Sequence, residues 1–372
     1  MPDTMSEAKA SAFGVVKLYG EHAVVYGYHS AAVTVGRKVD AKVSDVDIDG
    51  IEFQLDDLAQ NGSFSAEYIS KLFKDYNKAK DADRIELAKT EKERRNNYIS
   101  AFVENAAKAG VHLGMLPYII IAGRIMDEFD AGMSGKRVSI SSDIPISRGF
   151  ASSAACSTAF TVAMANSLGI RAGDDKLIDI ARDGDRVIHK NYSAGKIDVN
   201  ASFYGGCILY NDRDGAVRED IPPNLRLLIV DTGMKKPTSE TVRIVAEHYK
   251  KDPASTTRIF NEIESCTVNG VDALKKMDLP TVGELMYRNQ EYLKKLDVSS
   301  PGLDATVSES RKLGAYGAKL SGGGGGGIAI VLAKNLEELS EKFSSEGLKT
   351  YLLGVLKEGA KDYIKRAKSV SM

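Results

Sequence analysis

The stretch from Asp143 to Ala155, reading DIPISRGFASSAA, most constrains what this chain can fold into. Pro145 removes a backbone donor and Gly149 permits backbone angles closed to other residues, so no regular element runs through the segment. Two adjacent serines then open an apolar run, CSTAFTVAMA, which reads as a helix. A loop of small residues running into a helix leaves unpaired N–H groups at the helix start, and that end carries positive partial charge. Phosphate binds well there, whereas a bulky side chain at Gly149 or Ala151 would hold it away from the backbone. On these residues alone a simpler reading stays open, in which Ser152 merely caps a core helix.

A second glycine-rich stretch lies far downstream. Gly322 to Gly327 are consecutive glycines, which cannot form a stable helix or strand interior. A flexible linker would fit such a run, but strand-like residues, AKL and IAIVL, flank it on both sides. The glycines therefore read as a loop that lets two backbones, or a backbone and a phosphate, approach closely. Between these landmarks the chain alternates strand and helix signals. Ala8–Leu18 and Ala31–Asp47 read as strands, and Ser65–Gly110 as charged helix with a basic cluster at Lys92, Arg94 and Arg95. Pro117–Gly123 and Arg137–Ser142 read as strands leading to the loop, and Ser152–Leu168 and Asp175–Lys190 as helices. Pro222–Pro223 marks a boundary before the buried strand LRLLIVDT. Helices follow at Ser239–His248, Ala254–Leu274, Thr281–Leu296 and Leu303–Lys312, and a ββαβ pattern ends the chain, with Ala360–Lys368 a short amphipathic tail.

Composition narrows the function classes. A chain of 372 residues has room for two lobes, and 43% hydrophobic with 27% charged residues is ordinary for a globular protein. The net charge of -1 gives no global attraction to nucleic acid or an acidic membrane. The opening MPDTMSEAKA lacks the apolar core of a signal peptide, and Cys156, Cys207 and Cys266 form no CxxC pair. The expectation is a cytoplasmic protein with reduced cysteines.

The loop around Gly149 resembles the phosphate motif of the GHMP kinases, written PxxxGLGSSAA. Gly14–Gly27 and Lys319–Gly327 resemble that family's first and third motifs, in the same order. GEHAVVYG, beginning at Gly20, has the form found in the mevalonate kinases of the family. The resemblance implies an α+β fold in two lobes, an N-terminal ATP-binding lobe (1–221) and a ferredoxin-like C-terminal lobe (222–372). It implies ATP-dependent phosphorylation of the 5-hydroxyl of mevalonate, with Mg²⁺ as cofactor. Expected partners are ATP and mevalonate, with neither nucleic acid nor membrane, and a homodimer is left open. Two alternatives stand beside it: phosphomevalonate or the 3-hydroxyl of mevalonate as acceptor, or a relative that binds nucleotide without turnover.

The resemblance also assigns residues. The phosphate site comprises Ser142, Pro145, Arg148, Gly149, Phe150, Ala151, Ser152, Ser153, Ala154 and Ala155. Ser153 and Asp185 match the metal ligands, with Asp183 the rival carboxylate. Asp198, in GKIDVNASFYGG, matches the aspartate that takes the hydroxyl proton; as a plain residue it can equally cap a turn. Glu21, His22 and Thr238 match the acceptor side, Thr241 lying close to Thr238. One departure concerns the family's APGK, which here reads AFGV, so Val15 stands where the lysine is expected. Lys17, two residues on, projects from the same face of a strand, a step of about 7 Å. It is either the displaced catalytic lysine or a solvated strand residue.

Overall fold

The computed structural model describes residues 7–87, 97–133, 135–145, 148–222, 224–234 and 238–365. The basic cluster Lys92, Arg94 and Arg95, the pair Lys235–Lys236 and the end of the expected tail lie outside them.

A long antiparallel pair opens the fold, β1 (Glu7–Tyr19) against β2 (Ser30–Asp45). The first half of β2 is buried throughout, whereas beyond Gly36 its burial alternates, as a strand with one solvated face requires. Next come β3 (Ile51–Leu55), β4 (Gln60–Phe64), and the helices α1 (Ala66–Leu87), α2 (Tyr98–Lys108) and α3 (Leu116–Phe129). The expectation of a strand at Pro117–Gly123 is corrected here, because that segment is the first half of α3. The isoleucine run favours a strand locally, but Pro117 is well placed in a first helical turn, and every residue from Leu116 to Gly123 is buried. Gly123 has a packing reason: a Cβ there would lie 2.4 Å from Cβ of Phe73 on α1.

β5 (Lys136–Ser142) then enters the sheet, parallel to β3 and antiparallel to β2. It delivers the chain to α4 (Ser152–Ser167), followed by α5 (Asp174–His189), α6 (Lys196–Tyr204), β6 (Cys207–Asn211) and β7 (Gly215–Glu219). Among the described residues, the first sheet runs β4-β3-β5-β2-β6-β7, with β1 paired to β2 off that path. α4 is the central helix. Its residues from Ala154 to Ala165 are buried almost without interruption, which is the pattern of a helix enclosed on all sides.

The remaining strands are β8 (Arg226–Asp231), β9 (Gly317–Ser321), β10 (Ile328–Leu332) and β11 (Lys349–Gly354). They are interleaved with α7 (Thr238–Lys251), α8 (Pro253–Lys275), α9 (Leu279–Lys295), α10 (Pro301–Lys312) and α11 (Leu336–Ser345). These strands form an antiparallel sheet in the order β11-β8-β10-β9, the split βαβ arrangement of a ferredoxin-like lobe. The fold is thus α+β, with one sheet drawn from residues 7–219 and the other from 226–354. Among the described residues, no helix is long and apolar enough to cross a membrane.

Candidate active site

A cleft of about 750 Å³ lies where the two sheets' loops meet. The N-terminus of α4 forms one wall. Its N-cap position is Ala151, not Ser152, and no side chain caps the helix. The simple capping reading is therefore set aside, and the first-turn N–H groups open toward the cleft. Ala151 sits at φ 52, in the left-handed region. A glycine would hold that angle without strain, so the departure GFASS is tolerated but not free.

The glycine run faces this wall. Gly322, Gly323, Gly324, Gly326 and Gly327 line the cleft together with Arg148, Gly149, Phe150, Ala151, Ser152 and Ser153. Close approach explains the composition. A Cβ on Gly324 would lie 2.0 Å from the carbonyl oxygen of Val298, and one on Gly323 would lie 2.8 Å from Oγ1 of Thr238. The run is accordingly a packed loop and not a linker.

Lys17 and Asp198 meet inside the cleft. Nζ of Lys17 donates to both carboxylate oxygens of Asp198, at 2.7 and 2.9 Å. Burial acts to lower the Lys17 pKa, but the charges of Asp198, Glu21 and Asp185 outweigh it and hold the ammonium above its ordinary range. Asp198 stands in the first turn of α6, where a carboxylate is favoured. Val15, at the position of the expected lysine, is buried in a small apolar cluster with Ile197, Ala201 and Ile208. The backbone N–H of Lys17 donates to Oγ of Ser321 at 2.8 Å, which ties β1 to the start of the glycine run.

The two rival acids on α5 part clearly. Asp183 is fully buried and accepts from Tyr76 at 2.8 Å, Lys80 at 3.2 Å, Arg124 at 2.6 Å and Arg186 at 2.6 Å. It is a structural tie among α1, α3 and α5. Asp185 is also buried, but its Oδ1 has no hydrogen-bond partner among the described residues. Burial would raise its pKa, yet His189, Ser153 and Lys17 hold it low, so a carboxylate stands directly behind Ser153 and His189, which line the cleft where Asp185 itself does not. Nε2 of His189 lies 3.1 Å from Oγ of Ser153 and 3.5 Å from the orphaned oxygen. One carboxylate and one hydroxyl, all oxygen donors, fit Mg²⁺, which takes few protein ligands and keeps water and phosphate oxygens.

Other expected residues fall into place unevenly. Thr238 lines the cleft, whereas Thr241 is buried and donates to the Thr238 carbonyl at 3.0 Å. Ser142 lines the cleft as well. Pro145 does not, and Ala154 and Ala155 are fully buried in the core. Glu21 and His22 also fail to line the cleft and stand behind the glycine run. Glu21 forms a fully buried ion pair with Lys319, and Nε2 of His22 donates to the Gly323 carbonyl at 2.9 Å. In this arrangement both side chains support the loop that forms the wall.

Three features escaped the sequence reading. His189 follows Asp185 by one turn of α5, a spacing that marks a shared face and nothing more. Ser321 carried no signal beyond its place before the glycines. The cleft also has an apolar arm lined by Leu55, Leu58, Val103, Leu113, Pro117 and Tyr118, scattered over several elements. Exposure of Leu58 (41%) and Leu113 (47%) marks that arm, and exposure is invisible in sequence.

Known proteins share this fold. Residues 117–206 match the GHMP kinases N terminal domain, and residues 271–347 match GHMP kinases C terminal. A mevalonate kinase from Methanothermobacter thermautotrophicus is 30% identical over 249 residues, covering 63% of this chain and 79% of the relative. One from Methanocaldococcus jannaschii is 28% identical over 347 residues, covering 90% of this chain and 96% of that protein. The crystal structure of the L. major mevalonate kinase in complex with R-mevalonate superposes with a TM-score of 0.71 at 22% identity. That match covers 96% of this chain and 99% of the other. With both lobes matched, and the motif loops closing on one cleft, the chain belongs to the GHMP kinases, within their mevalonate kinase family.

Proposed function

We propose that the protein transfers the γ-phosphoryl group of ATP to the 5-hydroxyl of mevalonate, using a lobe of residues 1–221 and a second of 222–372. One observation carries this reading: the Lys17–Asp198 pair and the uncapped N-terminus of α4 face the same cleft. The apolar arm accepts a nucleobase, and the loop Arg148–Ser153 with the helix N–H groups holds the triphosphate. Thr238 and Ser321 border the acceptor side. Ser153 and Asp185 are the residues that hold Mg²⁺. When bound, it neutralises charge on the transferring phosphoryl group.

The chain's own groups supply the rest. As the acceptor oxygen attacks phosphorus and the bond to ADP breaks, the hydroxyl proton passes to an oxygen of Asp198. The Lys17 ammonium favours the ionised hydroxyl and keeps Asp198 aimed at it. Lys17 thereby fills from β1 the role left open at Val15. Lys319 and Glu21 fix the glycine loop from behind, and the cleft walls limit water competing as acceptor.

The test is ADP release from the purified enzyme with mevalonate, mevalonate 5-phosphate and mevalonate 3-phosphate in turn, with product positions assigned by phosphorus NMR. Turnover of mevalonate to the 5-phosphate is expected. Turnover only with a phosphorylated acceptor, or none with any, refutes the proposal. Asp198→Ala and Lys17→Met should each lower kcat by at least about 100-fold, the lower end for loss of a positioned proton-transfer group, while ATP affinity holds. A mild effect of Lys17→Met would return that lysine to the solvated class.

A further inference from the structure

The segment Asp231–Met234, which begins on the last residue of β8, ties two walls of the cleft together. Oδ1 of Asp231 accepts from Nη1 of Arg148 at 3.1 Å and from the backbone N–H of Gly233 at 2.9 Å. Thr232 donates to the Gly327 carbonyl through its N–H at 3.0 Å and its hydroxyl at 2.8 Å. Gly327 in turn donates to the Met234 carbonyl at 2.9 Å. One short stretch of the second sheet thus holds both the phosphate loop and the end of the glycine run.

Asp231 is an odd residue to find there. Its side chain is only 3% exposed, and it sits beside a cleft that, on the reading above, takes a triphosphate. A carboxylate so placed repels the ligand unless its charge is spent on a cation. Arg148 is that cation. Its side chain is 29% exposed and lines the cleft, and among the described residues its hydrogen bond to Asp231 uses Nη1 alone. A guanidinium is a rigid fork of donors. Gripped at one nitrogen by a buried acid, it presents the others at a fixed angle.

We propose that Asp231 is a positioning residue, which holds the Arg148 guanidinium so that its remaining donors meet the phosphate chain of the nucleotide. The inference rests on the cleft being the ATP site. Among the described residues neither side chain makes a hydrogen bond or ion pair to a residue of the apolar arm, so the effect should belong to phosphate and not to adenosine.

Calorimetric titration with a non-hydrolysable ATP analogue plus Mg²⁺, and separately with adenosine, tests it. Arg148→Met and Asp231→Asn should each weaken the analogue by roughly tenfold, about 1.4 kcal/mol, while adenosine affinity stays the same. The double variant should bind no more weakly than Arg148→Met alone, because the acid acts through the arginine. Asp231→Glu should recover most of the affinity. Unchanged analogue binding in Asp231→Asn overturns the inference, as does an equal loss for adenosine. No effect of Arg148→Met overturns its phosphate contact, and no analogue binding by the unaltered enzyme overturns the ATP reading itself. If Asp231→Asn fails to fold, as thermal unfolding would reveal, Arg148→Lys decides. It keeps the charge without the fork, and wild-type affinity in that variant overturns the inference.

Discussion

Replacing Lys319 by methionine should expose how strongly the glycine loop depends on a charge that never sees solvent. The Lys319 side chain is 0% exposed and that of Glu21 is 1% exposed. Nζ of Lys319 donates to Oε1 of Glu21 and, at 2.5 Å, to the Leu320 carbonyl. The other carboxylate oxygen, Oε2, has no hydrogen-bond partner among the described residues, so once the ammonium goes only the more distant charge of Lys17 acts on the carboxylate. Removing one member of a buried pair typically costs about 3–5 kcal/mol. Lys319→Met should therefore lower unfolding free energy by about 3–5 kcal/mol at pH 7. Urea unfolding followed by circular dichroism measures it. The double variant Glu21→Gln/Lys319→Met removes both charges and should recover most of the loss. A deficit under about 1 kcal/mol, or one that the double variant does not relieve, would refute the reasoning.

Two further perturbations bear on the same walls. His22 is buried at φ 63, and burial, reinforced by the charges of Lys17 and Lys319, lowers its pKa from 6.5 to about 4 against the bond to Gly323. The unfolded state then binds the extra proton, so its contribution is complete above pH 6.5 and is lost as pH falls toward about 4. Its upper bound is about 3 kcal/mol. His22→Asn, which tolerates a positive φ, should flatten stability between those pH values, and an unchanged pH profile of unfolding would dismiss the assignment. Ala151→Gly should raise stability by up to about 1 kcal/mol, because it relieves a left-handed alanine at φ 52. A lower melting temperature would show that the alanine methyl makes contacts worth more than the strain it causes.

Much of this architecture was legible because it is local. The phosphate loop, the long strands β1 and β2, β5, the strands of the second sheet and most helices follow from glycine placement and hydrophobic period, both of which act over a few residues, whereas the short strands β3, β4 and β7 gave no such signal. α3 was misread for a related reason. Local β-propensity in Tyr118–Ile121 lost to a helix packed so closely on Phe73 that Gly123 admits no side chain. The site was legible in its parts and hidden in its pairings. Lys17 and Asp198 were each singled out, but only the fold closes the 181 residues between them. Asp183 and Asp185 differ by two positions on one helix, and the choice between them turns on which acid finds four donors and which is left with an orphaned oxygen.

Glu21 shows why motif position and chemical role can separate. Its motif puts it beside the acceptor, and it does lie within a few residues of Lys17. Its carboxylate nevertheless points to Lys319, because β9 brings that lysine behind the turn with no other acid among the described residues to neutralise it. A buried ammonium without a counter-charge would be more costly than an acceptor short of one hydrogen bond. The chain therefore spends Glu21 on its own fold. Lining the cleft on this side are the ammonium of Lys17 and the hydroxyls of Ser321 and Thr238.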